Sequence, residues 1–201
     1  IKEDIYIIAE NGAIAKKSEE LLLHNSLSSE KITNIIPVLR KIKGANIVLC
    51  SQDSAFIESN DAHFIELFQE YYHSFQKVED LMEVAKTTSI LKIAIYHFDS
   101  SEHFIYPEVK HLKNDYLLKI SGKNWLDVSD EKANKGNALR KVQKLLNVTK
   151  QETMVFGDYH NDIEMMQEAD FSFAMGNAHK DIKELAKFST SNNDDFGVER
   201  V

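Results

Sequence analysis

Residues 157–162, Gly-Asp-Tyr-His-Asn-Asp, place two carboxylates and a carboxamide within six positions, directly after the apolar run 153–156. Gly, Asp and Asn are ordinary turn formers, so a surface turn accounts for the residue types. It does not account for charges that repel one another at the end of a strand, a repulsion that a bound cation would relieve. Magnesium takes one or two carboxylates, several waters and substrate phosphate oxygens. Asp158 at the strand tip suits a direct ligand, with Asn161 and Asp162 holding its waters or neighbouring side chains. Asp162 also suits a plain helix cap, because the helix dipole favours a carboxylate there. Upstream, Lys135-Gly136 opens a helix, where a lysine beside free helix N–H groups makes a phosphate anchor. A solvated surface lysine is the plain alternative.

The elements that must position these residues alternate between short apolar runs and amphipathic stretches, the pattern of an α/β protein. Residues 4–10 read as a buried strand closed by an Asn11-Gly12 turn. Ile32, Ile35, Ile36 and Leu39 share one helical face, which Pro37 is expected to kink or interrupt. A second amphipathic helix is expected over 61–75, with Phe64, Leu67, Phe68, Tyr71 and Phe75 on one side. Strands follow over 45–51, 90–98, 116–122 and 125–130. The helix from Lys135 is expected to bury Ala138, Val142, Leu145 and Leu146. The last third repeats strand, loop and helix twice, the winding that builds a parallel sheet by right-handed crossovers. Ligands of such sheets bind at the carboxyl ends of the strands, where 157–162 and the Gly176-Asn177-Ala178-His179 loop both open.

With these motifs in place, the chain resembles the haloacid dehalogenase superfamily, and within it the Cof-type phosphatases with a large α/β cap. The resemblance rests on "KGNAL", "MVFGDYHNDIEMM" and "FAMGNAHKDIKELA", and on "IIAENGAIA" near the start. It implies a Rossmannoid parallel-sheet core from residues 1–14 and 123–201, with a cap domain over 15–122. It further implies an Mg2+-dependent phosphomonoesterase of small phosphorylated metabolites such as sugar phosphates. On that resemblance Lys135 steadies the phosphate and the nucleophile's charge, and Asp158 is the magnesium ligand with Asp162 as its water-mediated partner. Asn161 would bond in the same shell, Asn177 would line the site, and Asn11 would contact substrate near the cap hinge. His160 could contact substrate or be a loop histidine without a role. The other histidines lack paired spacing such as H-x-x-x-H and read as structural rather than as zinc ligands.

The family's first motif, "DxDGT", supplies the attacking aspartate and the general acid and base. Its second is a Ser or Thr before "GR". Neither occurs in these 201 residues. The resemblance puts the two strands that carry them before residue 4 and beside the 153–156 strand. The expectation is therefore an N-terminally incomplete core, inactive by itself. The alternative function is a non-catalytic fragment or pseudoenzyme that binds a phosphorylated ligand or a protein partner.

A formal charge of −8 argues against a nucleic-acid binder, which needs clustered Lys and Arg. No apolar stretch approaches the roughly 20 residues that span a bilayer. The single Cys50 sits in an apolar strand and reads as a buried thiol. Together these point to a cytoplasmic protein, and the resemblance implies a small phosphorylated substrate. Oligomeric state is not legible.

Overall fold

The computed structural model describes residues 5–72 and 74–201. Asp4, which opens the first expected strand, and His73, within the second expected helix, lie outside the described residues. The chain divides into two compact units, Ile1–Leu23 with Lys132–Val201, and His24–Glu131. The divisions fall later than positions 14/15 and 122/123, for reasons visible in the strand pairing.

The first unit begins with β1 (Tyr6–Ala9), β2 (Ile14–Lys17) and β3 (Glu20–His24), a three-stranded sheet in that order. β1 and β2 are antiparallel, from Tyr6 opposite Lys17 to Ala9 opposite Ile14. Residues 15–23, expected in the cap, are thus tied by backbone pairing to the strand expected in the core.

The second unit holds α1 (Ser29–Leu39), β4 (Ala45–Cys50), β5 (Ala55–Ile57), α2 (Ala62–Tyr71), β6 (Phe75–Lys77), α3 (Leu81–Thr87) and β7 (Lys92–His97). Two short helical turns follow, α4 (Ser101–Phe104) and α5 (Tyr106–Val109), then β8 (Leu117–Ile120) and β9 (Trp125–Ser129). Its six strands run in the order β6-β5-β4-β7-β9-β8. Side-chain alternation sends the two faces to two cores. Ile47, Leu49, Ile93, Ile95, Leu126 and Val128 meet Ile32, Ile35, Ile36 and Leu39 of α1 and Leu81 of α3. Val48, Cys50, Ile57, Ala94 and Tyr96 meet Phe64 and Phe68 of α2. Cys50 is buried, as its apolar strand predicts, with its Sγ 3.3 Å from the Tyr72 hydroxyl.

Three sequence expectations are corrected here. Residues 125–130, assigned to the returning core, form β9, which pairs with β7 and β8 of the second unit. Phe75 leaves the helix to begin β6, and Tyr71 at the helix end is 59% exposed. Pro37 stands inside α1 and the helix ends two residues later, so the proline falls in the last turn rather than breaking the element.

The chain then returns to the first unit with α6 (Lys135–Leu146), β10 (Met154–Gly157), α7 (Ile163–Met166), β11 (Phe171–Ala174), α8 (Lys180–Leu185) and β12 (Phe188–Ser189). β10, β11 and β12 are parallel neighbours in that order. Met166, Ala169, Ala174, Ala178 and Ile182 bury one side of this sheet. On the other, Phe156, Phe173 and Phe188 stack at 5.3 and 5.1 Å between ring centroids. In α6 the buried residues are Gly136, Ala138, Val142 and Gln143, while Leu145 and Leu146 are about half exposed. The burial stripe of α6 thus ends before its last turn, where Asn147 takes up a left-handed cap. Among the described residues no helix is long and apolar enough to cross a membrane.

Candidate functional site

Two loops leave the carboxyl ends of the parallel β10 and β11, and both carry candidate residues. After β10 the chain makes a 3-10 turn, His160–Asp162, before α7. This turn swings Asp162 back under the strand tip, where it is only 4% exposed. A carboxylate taken out of water must be paired. Asp162 Oδ1 receives Lys135 Nζ at 2.6 Å, and Oδ2 accepts the backbone N–H of Asp158 at 2.9 Å. Asp162 therefore uses both oxygens to join the start of α6 to the strand tip.

Lys135 is the first residue of α6, whose cap is the Asn134 side chain accepting from Asn137 N–H at 2.8 Å. The helix can come this close because Gly136 has no side chain. A Cβ there would stand 2.6 Å from the Glu164 carbonyl oxygen of α7. Gly12 serves the neighbouring contact. Its φ of +94° favours glycine, and a Cβ would collide with the Asn134 carbonyl. Asn11, also left-handed at φ 54°, is thereby held against the site, and its Oδ1 accepts from Asn161 Nδ2 at 3.0 Å. Residues separated by most of the chain meet at one amide pair.

Asp158 itself is exposed at the rim. Desolvation by the surrounding loops, then repulsion from Asp162, push its carboxyl pKa up, with Lys135 opposing. This imbalance of negative charge at an all-oxygen donor set of Asp158, Asp162 and Asn161 fits a hard divalent cation such as magnesium.

In the second loop, His179 N–H donates to the Asp158 carbonyl at 2.9 Å, fastening the two loops together. Asn177 is exposed, and its Oδ1 accepts from Asn193 N–H at 3.3 Å, so this carboxamide supports the C-terminal turn. His160 Nε2 lies 3.0 Å from Asp181 Oδ2, and His179 Nδ1 lies 3.6 Å from the same oxygen. The hydrogen bond from His160, with His179 alongside, holds the Asp181 carboxyl below the ordinary aspartate range. Spacing along the chain gave no sign of this group. The parallel strands bring His160 and His179, far apart in sequence, within 4.3 Å between ring centroids.

The whole sequence, residues 1–201, matches the haloacid dehalogenase-like hydrolase family, and the chain belongs to it. It is 26% identical over 200 residues to the 5-amino-6-(5-phospho-D-ribitylamino)uracil phosphatase YbjI of Escherichia coli, covering 98% of this chain and 73% of that protein. It is 34% identical over 128 residues to the phosphatase YwpJ of Bacillus subtilis, covering 64% and 44%. Among solved structures, SMU.1108c of Streptococcus mutans superposes with a TM-score of 0.88 at 25% identity, over 98% of this chain and 74% of that one. A haloacid dehalogenase subclass IIB sugar phosphatase, BT4131, superposes at 0.81 and 20% identity, over 97% and 73%, a likeness of fold.

Proposed function

We propose that this protein is a magnesium-dependent phosphomonoesterase of small phosphorylated metabolites, sugar phosphates among them, working in the cytoplasm. One observation carries the reading. The buried Asp162 clamps Lys135 at 2.6 Å and the backbone of Asp158 at 2.9 Å, setting a cation and a carboxylate at the carboxyl edge of a parallel sheet. The names of relatives support the substrate class. The Escherichia coli protein is named for a phosphorylated ribitylamino compound, and the structural neighbour is titled a sugar phosphatase.

Asp158 and the Asp162–Asn161 pair would hold the magnesium ion, which when bound supplies neutralisation of charge on the phosphoryl oxygens. Lys135 presents an ammonium to the phosphoryl group, held in place by its 2.6 Å ion pair with Asp162. Asn161 and Asn11 hold one another, so an amide is oriented before substrate arrives. Asn177 and His160 border the same edge as substrate contacts. On the family resemblance, the attacking aspartate of an aspartyl-phosphate intermediate belongs to a DxDGT motif, which does not occur in these 201 residues. The net charge of −8 argues against a nucleic-acid substrate.

The test is hydrolysis of a panel of phosphate esters by the complete protein, with magnesium and again with excess chelator. Magnesium-dependent turnover on small phosphosugars supports the proposal. Turnover indifferent to chelation contradicts it. Tight ligand binding without turnover on any ester would instead favour a non-catalytic phosphate-binding protein.

A further inference from the structure

We infer that His160, His179 and Asp181 form a second metal site, one for zinc or a similar imidazole-seeking divalent ion, apart from the oxygen site at Asp158. One ligand atom from each residue lies within 4.8 Å of the other two. Both imidazoles address the same oxygen, Asp181 Oδ2, at 3.0 and 3.6 Å. A tetrahedral zinc ion with bonds of about 2.0–2.1 Å separates its ligand atoms by about 3.3–3.4 Å, and the two observed separations bracket that value. The remaining separation, between the two imidazole nitrogens, is within 4.8 Å. The side chains of His160 and His179 are 27% and 31% exposed. His179 Nδ1 also accepts the Asp181 N–H at 3.3 Å, a long bond that a metal would replace.

The donor set argues for the ion. Two imidazoles and one carboxylate suit zinc, whereas magnesium prefers oxygen and keeps its waters. The three residues sit on backbone that is otherwise fixed. His160 opens the 3-10 turn after β10, and His179 N–H is bonded to the Asp158 carbonyl. Asp181 is one residue from Ile182, which is fully buried. Three protein ligands leave a fourth position open to solvent. An ion there ties the loop after β10 to the loop after β11. The ordinary account is an ion pair of His160 with Asp181 beside a helix cap in which His179 Nδ1 accepts the Asp181 N–H; a metal would take the same three side chains with both imidazoles and the carboxylate turned to one point.

The experiment is a zinc titration of the metal-stripped protein against a chromophoric chelator, followed by cobalt substitution. The expected result is one zinc per chain, weakened at least tenfold by His160→Gln, His179→Gln and Asp181→Asn. Asp158→Asn should leave zinc affinity within about twofold, which separates this site from the proposed magnesium site. Circular dichroism checks that each variant is folded. The cobalt spectrum of the unmutated protein needs no variant, and intense visible bands of tetrahedral cobalt are expected. No stoichiometric zinc, zinc binding unmoved by the folded histidine variants, or only weak octahedral cobalt bands would each overturn the inference.

Discussion

Lys135 Nζ stands 2.6 Å from Asp162 Oδ1, the lysine side chain 30% exposed and the aspartate 6%. The pair is asymmetric. Asp162 cannot recover its hydration if the lysine leaves, whereas Lys135 reaches water easily. Lys135→Met should therefore cost about 2–3 kcal/mol, below the full cost of breaking a buried pair because one partner is partly solvated. Urea denaturation measures it. In a double-mutant cycle, Asp162→Asn should absorb most of that loss, since the amide leaves no buried charge behind.

In the second unit Arg40 donates to Glu58 at 2.8 and 2.5 Å and to Asp80 at 2.6 Å. Arg40→Met should cost about 1–2 kcal/mol through the Glu58 pair, a figure already discounted for exposure. The hydrogen bond from Arg40, then that from Met82 N–H, depress the Asp80 carboxyl below its ordinary 3.8. A depressed carboxyl contributes stability above its unfolded pKa and loses it as pH falls through the folded one. The share of the gap between Arg40→Met and the unmutated protein that Asp80 carries should therefore be full at neutral pH and narrow below about pH 4. Thermal melts across that range report it.

Gly136→Ala tests the close approach that sets Lys135 in place. Its Cβ would meet a backbone carbonyl at 2.6 Å, which cannot swing aside as a side chain could. The variant should lose about 1–3 kcal/mol, the usual range for overpacking, despite alanine's better helix propensity. Equilibrium unfolding with an unchanged denaturant slope would confirm a loss of packing rather than a change in the unfolded chain.

Along α6, Leu145→Gln and Leu146→Gln should each change stability by no more than about 0.5 kcal/mol, because both residues are about half exposed. Val142→Ala should cost about 1–2 kcal/mol, since Val142 is 8% exposed. Chemical denaturation of the three variants ranks them, and a large loss at Leu145 would mean its face is covered in the folded protein.

Legibility in the sequence followed locality. The buried face of α1 and the helix starting at Lys135 rest on nearest-turn periodicity, and the structure has both. β10 and β11 of the closing sheet were readable because each is a short apolar run between turn formers, and β12 followed from the repeated strand–loop–helix winding. What escaped depends on pairing between distant segments. The β2–β3 hairpin is half polar, and only its ladder to β1 shows which unit holds it. β9 reads as any apolar strand until its partners are known. Leu145 and Leu146 obey helical spacing, yet both are about half exposed at the end of α6. The site divided in the same way. Asp158, Asn161 and Asp162 sit in one motif, but the Asn161–Asn11 bond and the His160–His179 contact come from topology.

The central claim is that Asp158 and Lys135 serve one phosphate-directed magnesium site. Its most direct test is the magnesium dependence of phosphate-ester turnover by the complete protein, compared with its Asp158→Asn and Lys135→Ala variants. The account predicts at least a hundredfold loss of turnover in each, unrecovered in Asp158→Asn at any magnesium concentration, with both variants still folded. Full magnesium-dependent turnover by Asp158→Asn would contradict it.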